Sequence, residues 1–167
     1  QALDAFTMMS YVALGANLPS ERYGPPRTTL ATALALLEAR GLRIAARSSW
    51  YESAPVPASD QPWFINAVVG LTDAPEPASL LETLHALETE LGRVRSVPNA
   101  PRAVDLDLID AGGQVSGPAV WPRLPHPRLH ERAFVLMPLQ EIAPDWRHPA
   151  SGEHVDTLLA ALPTGQT

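Results

Sequence analysis

The chain of 167 residues has no cysteine and no lysine. Without cysteine there is no disulfide framework, no thiolate nucleophile and no thiolate metal site. That absence suits a reducing compartment, and the expected location is the cytoplasm. No run approaches the ~20 apolar residues that a membrane span requires. The opening QALDAFTMMS has no basic segment and does not read as a secretory signal. Residues 1–9 are expected to be a tail or remnant, or to run in from an upstream domain, with Met8 or Met9 as a natural start. Positive charge is scarce, and the net charge of −6 argues against a wide nucleic-acid footprint.

Hydrophobic residues make up 46% and charged residues 18%, the profile of a folded globular chain. Residues 10–167 are expected to form one domain with a sizeable core. All 12 basic residues are arginine, and Arg93, Arg95, Arg102, Arg123, Arg128 and Arg132 crowd into one stretch. A biased genome explains the missing lysines but not the crowding. A local arginine cluster in an acidic chain suits a compact anion, a carboxylate or a polyphosphate.

Residues 10–14 read as a short strand ended by Gly15 and Asn17, followed by a Pro-, Gly- and Ser-rich loop over 16–27. Leu30, Ala33, Leu34 and Leu37 recur at helical spacing between Thr28 and Arg40, and Gly41 stands where a helix C-terminus favours it. Residues 42–52 form a strand-like run, 53–62 an irregular loop, and 63–72 a second strand rich in aromatic and β-branched residues. Pro77 and Ser79 open a second helix, with Ser79 and Glu82 spaced as a capping box. Leu80, Leu81, Leu84, Leu87 and Leu91 form its buried stripe, and Gly92 ends it. A strand follows over 103–109, then short helices over 134–142 and 155–162. The order β-α-β-β-α-β predicts an α+β, ferredoxin-like fold, an antiparallel sheet with helices on one face. No internal repeat or dividing linker is present.

In the strand 103–109, Asp105 and Asp107 project to one face while Val104, Leu106 and Leu108 face the helices. Adjacent carboxylates repel, and a strand disfavours Asp. By itself the pair reads most simply as two ordinary acids on a solvent-facing strand. Solvation, an ion pair or a bound cation would each relieve the repulsion. Mg²⁺ takes a few carboxylate oxygens plus substrate phosphates. The three arginines of GRVRSVPNAPR precede the pair, and RLPHPRLHERAFVL follows it. Acids that hold a metal beside arginines are what phosphoryl transfer requires. No GxxxxGK[ST] loop occurs, so a P-loop enzyme is excluded.

The pieces YVALGANL, SSWYESAPVPASDQPWFINAVV, LETELGRVR, APRAVDLDLID, LPHPRLHERAFVLMPLQEIAP and HPASGEHV cover nearly the whole chain from Tyr11. In that order they closely resemble the 6-hydroxymethyl-7,8-dihydropterin pyrophosphokinases of folate biosynthesis. PR-x-x-D-x-D combined with PHPR and R-x-F-V-L-x-P-L is highly specific. The resemblance implies transfer of pyrophosphate from ATP to the hydroxymethyl oxygen of a reduced pterin, with release of AMP. It also implies a ferredoxin-like fold, a monomer when unfused, and substrates that are small molecules, with no nucleic acid or membrane partner. Fusion to, or association with, a neighbouring folate-pathway enzyme is the one partner expected.

By the same resemblance, Asp105 and Asp107 match the family pair that holds two Mg²⁺ ions. Arg93, Arg95 and Arg102 match phosphate-contacting arginines of the family's mobile loop and the start of the following strand. His126 and Arg132 match residues at the nucleotide phosphates, and Leu108 should lie beside the adenine. Glu88 matches a position close to the nucleotide, with a solvent-facing helical Glu as the plain alternative. Phe64 and Phe134 match the two rings that stack on the pterin, and Asn66 the amide that reads its polar edge. Ser53, Ala54 and Val56 match the loop lining that pocket, with ESAPV in place of the commoner Thr-x-Pro. Asn99-Ala100 stand where the family usually carries Trp-Gly, a departure that bears on closure over the substrates. Asp110 is also unusual, and the expected reason is that the strand ends there. No side chain is assigned as general base. The competing readings are a non-catalytic pterin- or nucleotide-binding module of the same fold, and a ferredoxin-like regulatory or RNA-binding domain. The acidic net charge disfavours the last.

Overall fold

A computed structural model describes residues 9–17, 24–54, 62–92, 104–117 and 120–163. In chain order they form β1 (Met9–Ala16), α1 (Pro26–Ala39), β2 (Arg43–Arg47), β3 (Tyr51–Ser53), β4 (Phe64–Thr72), α2 (Pro77–Glu90), β5 (Asp105–Ala111), α3 (Ala133–Ile142) and α4 (Val155–Ala160). The sheet order is β2-β4-β1-β5, with β3 also paired to β4, and every pairing is antiparallel. This is the ferredoxin-like arrangement.

Period-two alternation sorts the strand residues between two layers. Val12, Leu14, Val69, Leu71, Leu106 and Leu108 pack against the buried leucines of α1 and α2. Tyr11, Ala13, Val68 and Ile109 point the other way, into a second core with Leu136, Leu139, Trp146 and Leu158. Helices therefore cover both faces, where the element order alone suggests one. The added layer is the C-terminal segment, whose α3 buries Val135, Leu136 and Leu139.

Several local expectations need correction. β1 does not stop at Gly15 but continues to Ala16, because Gly15 pairs with strands on both sides. The run 42–52 is two strands. Between them the Ser48 N–H donates to the Val68 carbonyl at 2.9 Å, while the Ser48 hydroxyl oxygen accepts the Val68 N–H at 2.9 Å. A side chain thus replaces a backbone partner, and the chain turns. The capping box does not form: Glu76 is the N-cap, without a side-chain cap hydrogen bond, and Pro77 is the first helical residue. The helix starts two residues earlier than a Ser79 cap requires, because Pro77 is preset for the first helical position. Ser79 sits inside the helix instead, and its carbonyl accepts from the Thr83 hydroxyl at 3.2 Å.

β5 does not end at Asp110 either. The β1–β5 register shifts between Tyr11 and Val12: Val12 faces Leu108, and Tyr11 faces Asp110. Ile109 is the extra residue of a bulge, so Asp110 turns to the same side as Ile109. Asp110 is buried there. Its carboxylate accepts the Trp146 indole N–H at 2.9 Å and the Gly113 N–H at 3.0 Å. Burial pushes its pKa up, and the two hydrogen bonds oppose the shift.

Candidate active site

A row of residues runs straight across four strands. Tyr51 lies opposite Asn66, Asn66 opposite Gly15, and Gly15 opposite Asp105. One row over, Val68, Ala13 and Asp107 align. Cross-strand neighbours share a face, and this is the face that α3 covers. Strand spacing places the Asn66 and Asp105 backbones roughly 10 Å apart, with only a glycine between them. A Cβ on Gly15 would sit 3.1 Å from the Asn66 side-chain oxygen. Glycine therefore keeps the floor open beside that amide. Gly15 and Ala13 escaped the sequence reading, although a glycine inside a strand pattern is itself a signal of close approach.

Above this floor is a cavity of about 200 Å³. Phe64, Asn66, Ser53 and Ala54 line one side, and Arg132, Phe134 and Val135 the other. Asp105 and Asp107 close one end. The buried Asn66 amide donates to the Ser53 hydroxyl at 2.7 Å, which fixes the amide orientation. The Arg132 guanidinium carbon lies 5.6 Å from the Phe134 ring centroid, a cation–π contact. Burial lowers the Arg132 pKa, and the Asp107 and Asp105 carboxylates oppose the shift. From so high a starting value the group stays cationic.

A second cavity, of about 190 Å³, meets the first at Asp107. Leu81, Leu106, Leu108 and Pro122 supply its apolar lining, and Glu88, Arg123 and His126 its polar groups. His85 and Trp121 also border it, and neither stood out in the sequence. His126 is anchored by its own N–H, donated to the Ile109 carbonyl at 2.9 Å. Its Nδ1 accepts the Arg128 N–H at 3.2 Å, which leaves Nε2 to carry the proton. Burial, then the positive charges of Arg132 and Arg128, pull its pKa down to about 4. His126 is therefore a neutral donor at pH 7. Glu88 is not the solvent-facing helical residue of the plain alternative. It is buried, and its carboxylate accepts the Leu106 N–H at 3.0 Å, between the two acids of β5.

The structure thus brings Ser53, Ala54, Phe64, Asn66, Asp105, Asp107, Arg132 and Phe134 to one cavity. Glu88, Leu108 and His126 join Asp107 in the other. Val56, Arg93, Arg95, Arg102 and the Asn99-Ala100 pair lie outside the described residues. Among the described residues no group of three or more His, Asp or Glu side chains could hold a metal by itself. Two carboxylates on one strand face suit Mg²⁺, which completes its shell with water and substrate phosphates.

Residues 11–144 match the family described as 7,8-dihydro-6-hydroxymethylpterin-pyrophosphokinase. The 2-amino-4-hydroxy-6-hydroxymethyldihydropteridine pyrophosphokinase of Pseudomonas aeruginosa is 43% identical over 156 residues, 92% of this chain and 91% of that protein. The protein of that name from Methylorubrum extorquens is 42% identical, over 93% of this chain and 95% of its own length. The Folic acid synthesis protein fol1 of Pneumocystis carinii is 37% identical over 85% of this chain, which spans 18% of that protein. The family match takes in β1 from Tyr11 onward, the other four strands and both cavities, and the similarity runs almost end to end: the chain belongs to the 7,8-dihydro-6-hydroxymethylpterin-pyrophosphokinase family.

Proposed function

We propose that this chain transfers pyrophosphate from ATP to the hydroxymethyl group of 6-hydroxymethyl-7,8-dihydropterin, releasing AMP, as a step of folate biosynthesis. The observation that carries this reading is the meeting of two unlike cavities at Asp107. One is a slot with a phenylalanine on each wall and an oriented amide, suited to a flat ring with a polar edge. The other combines aliphatic lining with a neutral histidine donor and an arginine, suited to a nucleotide. A bisubstrate reaction needs both substrates held within reach of one point.

In this reading Phe64 and Phe134 clamp the pterin, and Asn66 and Ser53 pair with its amide edge. The hydroxymethyl group then points to the acid end of the slot. Leu108 packs against the base of ATP, while His126 donates its Nε2 proton to a phosphate oxygen. Arg132 places its cation between the stacking ring and the acids, where charge shifts during transfer. The pterin oxygen forms a bond to the β-phosphorus, the bond from that phosphorus to the α,β-bridging oxygen breaks, and AMP leaves. The hydroxyl proton passes to solvent, with no side chain assigned to take it. Asp105 and Asp107 would hold the Mg²⁺, two ions in this proposal, which screens the triphosphate and lowers the pKa of the attacking hydroxyl. Glu88 holds β5 in place through Leu106. Arg93, Arg95 and Arg102 are proposed as further hydrogen-bond donors to the phosphates, and Val56 as part of the pterin-binding loop.

Residues 10–167 are proposed as a single catalytic domain working as a monomer in the cytoplasm. Among the described residues no helix is long and apolar enough to cross a membrane. The fol1 match makes physical association with another folate enzyme a reasonable extension of the same reading. The test is to mix the protein with Mg-ATP and 6-hydroxymethyl-7,8-dihydropterin and separate the nucleotides. Pterin-dependent AMP is expected. ADP in its place, or pterin binding with no AMP, would overturn the reading, and the latter would leave a binding module.

A further inference from the structure

The wall of the pterin-side cavity contributed by α3 is tied to the opposite wall by one carboxylate. Glu141, in the last turn of α3, accepts four hydrogen bonds from the β2–β3 connection and β3. The Tyr51 hydroxyl donates to its Oε1 at 2.6 Å. The Ser49 hydroxyl donates to Oε2 at 2.9 Å, and the Ser49 N–H lies 3.0 Å and 3.1 Å from the two oxygens. Glu141 lies seven residues, about two helical turns, after Phe134 and so shares its side of the helix. Tyr51 lies opposite Asn66 in the row that forms the floor, and β3 ends at Ser53, the partner of the Asn66 amide. The carboxylate thus joins the element that carries one stacking ring to the strand that orients the reading amide.

We infer that Glu141 is a positioning residue that sets the width of the pterin slot by clamping α3 to β3. This rests on the proposed reaction. Glu141 lines neither cavity at Asp107, so it acts through Tyr51, Ser49 and the elements they belong to. The arrangement is selective. The nucleotide-side cavity is walled by α2, β5 and the loop after it, whereas the hydrogen bonds of Glu141 go to Ser49 and Tyr51. Loss of the clamp therefore widens one substrate site and spares the other. α3 is also poorly braced by its own backbone near the ring. Pro138 has no N–H to offer the Phe134 carbonyl one turn earlier, so lateral contacts carry more of the load.

The test uses the full chain and three variants. Glu141→Ala is expected to raise KM for 6-hydroxymethyl-7,8-dihydropterin about tenfold, with KM for Mg-ATP within about twofold, the scale on which supporting residues tune a neighbouring site. The pterin dissociation constant, measured without ATP, should rise in step. Glu141→Gln keeps one acceptor oxygen and should recover part of the loss. Tyr51→Phe removes one of the four hydrogen bonds and should give a smaller shift of the same selectivity, which keeps the test open if Glu141→Ala fails to fold. Equal rises in both KM values, or an unchanged pterin affinity with only a lowered Tm, would overturn the clamp. The wild-type protein is the separate control for the reaction. If it forms no AMP the reaction is wrong, while the pterin dissociation constants still decide the clamp.

Discussion

On the α1–α2 side of the sheet, aliphatic strand residues alternate into a layer of leucines, and the buried Glu88 is bonded to backbone. The α3–α4 side has the same strands beneath it but a mixed population. There Asp105, Asp107 and Asn66 border a cavity, a glycine takes a central position, and Asp110 is bonded to an indole. The first layer is filled by leucines except at its edge, where Leu81, Leu106, Leu108 and Glu88 border the nucleotide-side cavity. The second is left open at one end by Gly15 and Ala13, and the polar groups collect at that opening. Apolar packing thus dominates one side of the sheet and polar groups gather on the other, divided by the two-residue period of its strands, with Asp107 bordering both cavities.

This separation can be broken from either side. The largest effect belongs to the open face: Asp107→Ala should cut AMP formation about 10³-fold, with Tm near that of the wild type, since no packing is lost. Near-normal turnover would remove the acids from the reaction. The reverse change is Leu84→Ala in α2, at a fully buried position. It should cost about 2–5 kcal/mol in denaturant unfolding, from lost transfer energy and the cavity left behind. The fraction that stays folded should turn over normally, and a matching fall in its kcat would show the two layers to be coupled.

A smaller effect is expected at the bulge. Asp110→Ala leaves the Trp146 indole N–H without its acceptor, at a cost of about 1–3 kcal/mol, partly offset by relief of a buried carboxylate. Unfolding midpoints should register it while both KM values hold. The smallest is a slope. The folded pKa of His126, about 4, lies below the ordinary histidine value of 6.5. The unfolded chain therefore binds more protons between those pH values, and stability should rise with pH through that window. His126→Gln should flatten that part of the profile, and an unchanged slope would assign it to other groups.

Much of this is legible in the sequence. Leucine spacing marked α1 and α2, and an aromatic and β-branched run marked β4, because these patterns are local properties of the chain. The i, i+2 spacing of the two aspartates put them on one face for the same reason. What misled was also local. The serine-to-glutamate spacing of a capping box was present, but Pro77 starts the helix two residues before Ser79. Asp110 read as a strand end because its partner, Trp146, lies 36 residues away. Glu88 matched a nucleotide-side position by resemblance, but its spacing alone could not exclude a surface residue, because its backbone partner lies on β5.

The sequence by itself determined the element order, the apolar layer and the pairing of the acids, all of which follow from side-chain periods along one strand or helix. Only the tertiary structure decided that Tyr51, Asn66, Gly15 and Asp105 stand in one row. It alone decided that two cavities meet at Asp107, and that a glutamate at the end of α3 holds the wall across from it. These depend on register between strands distant in the chain and on a C-terminal layer folded over them, and neither leaves a periodic trace in the sequence.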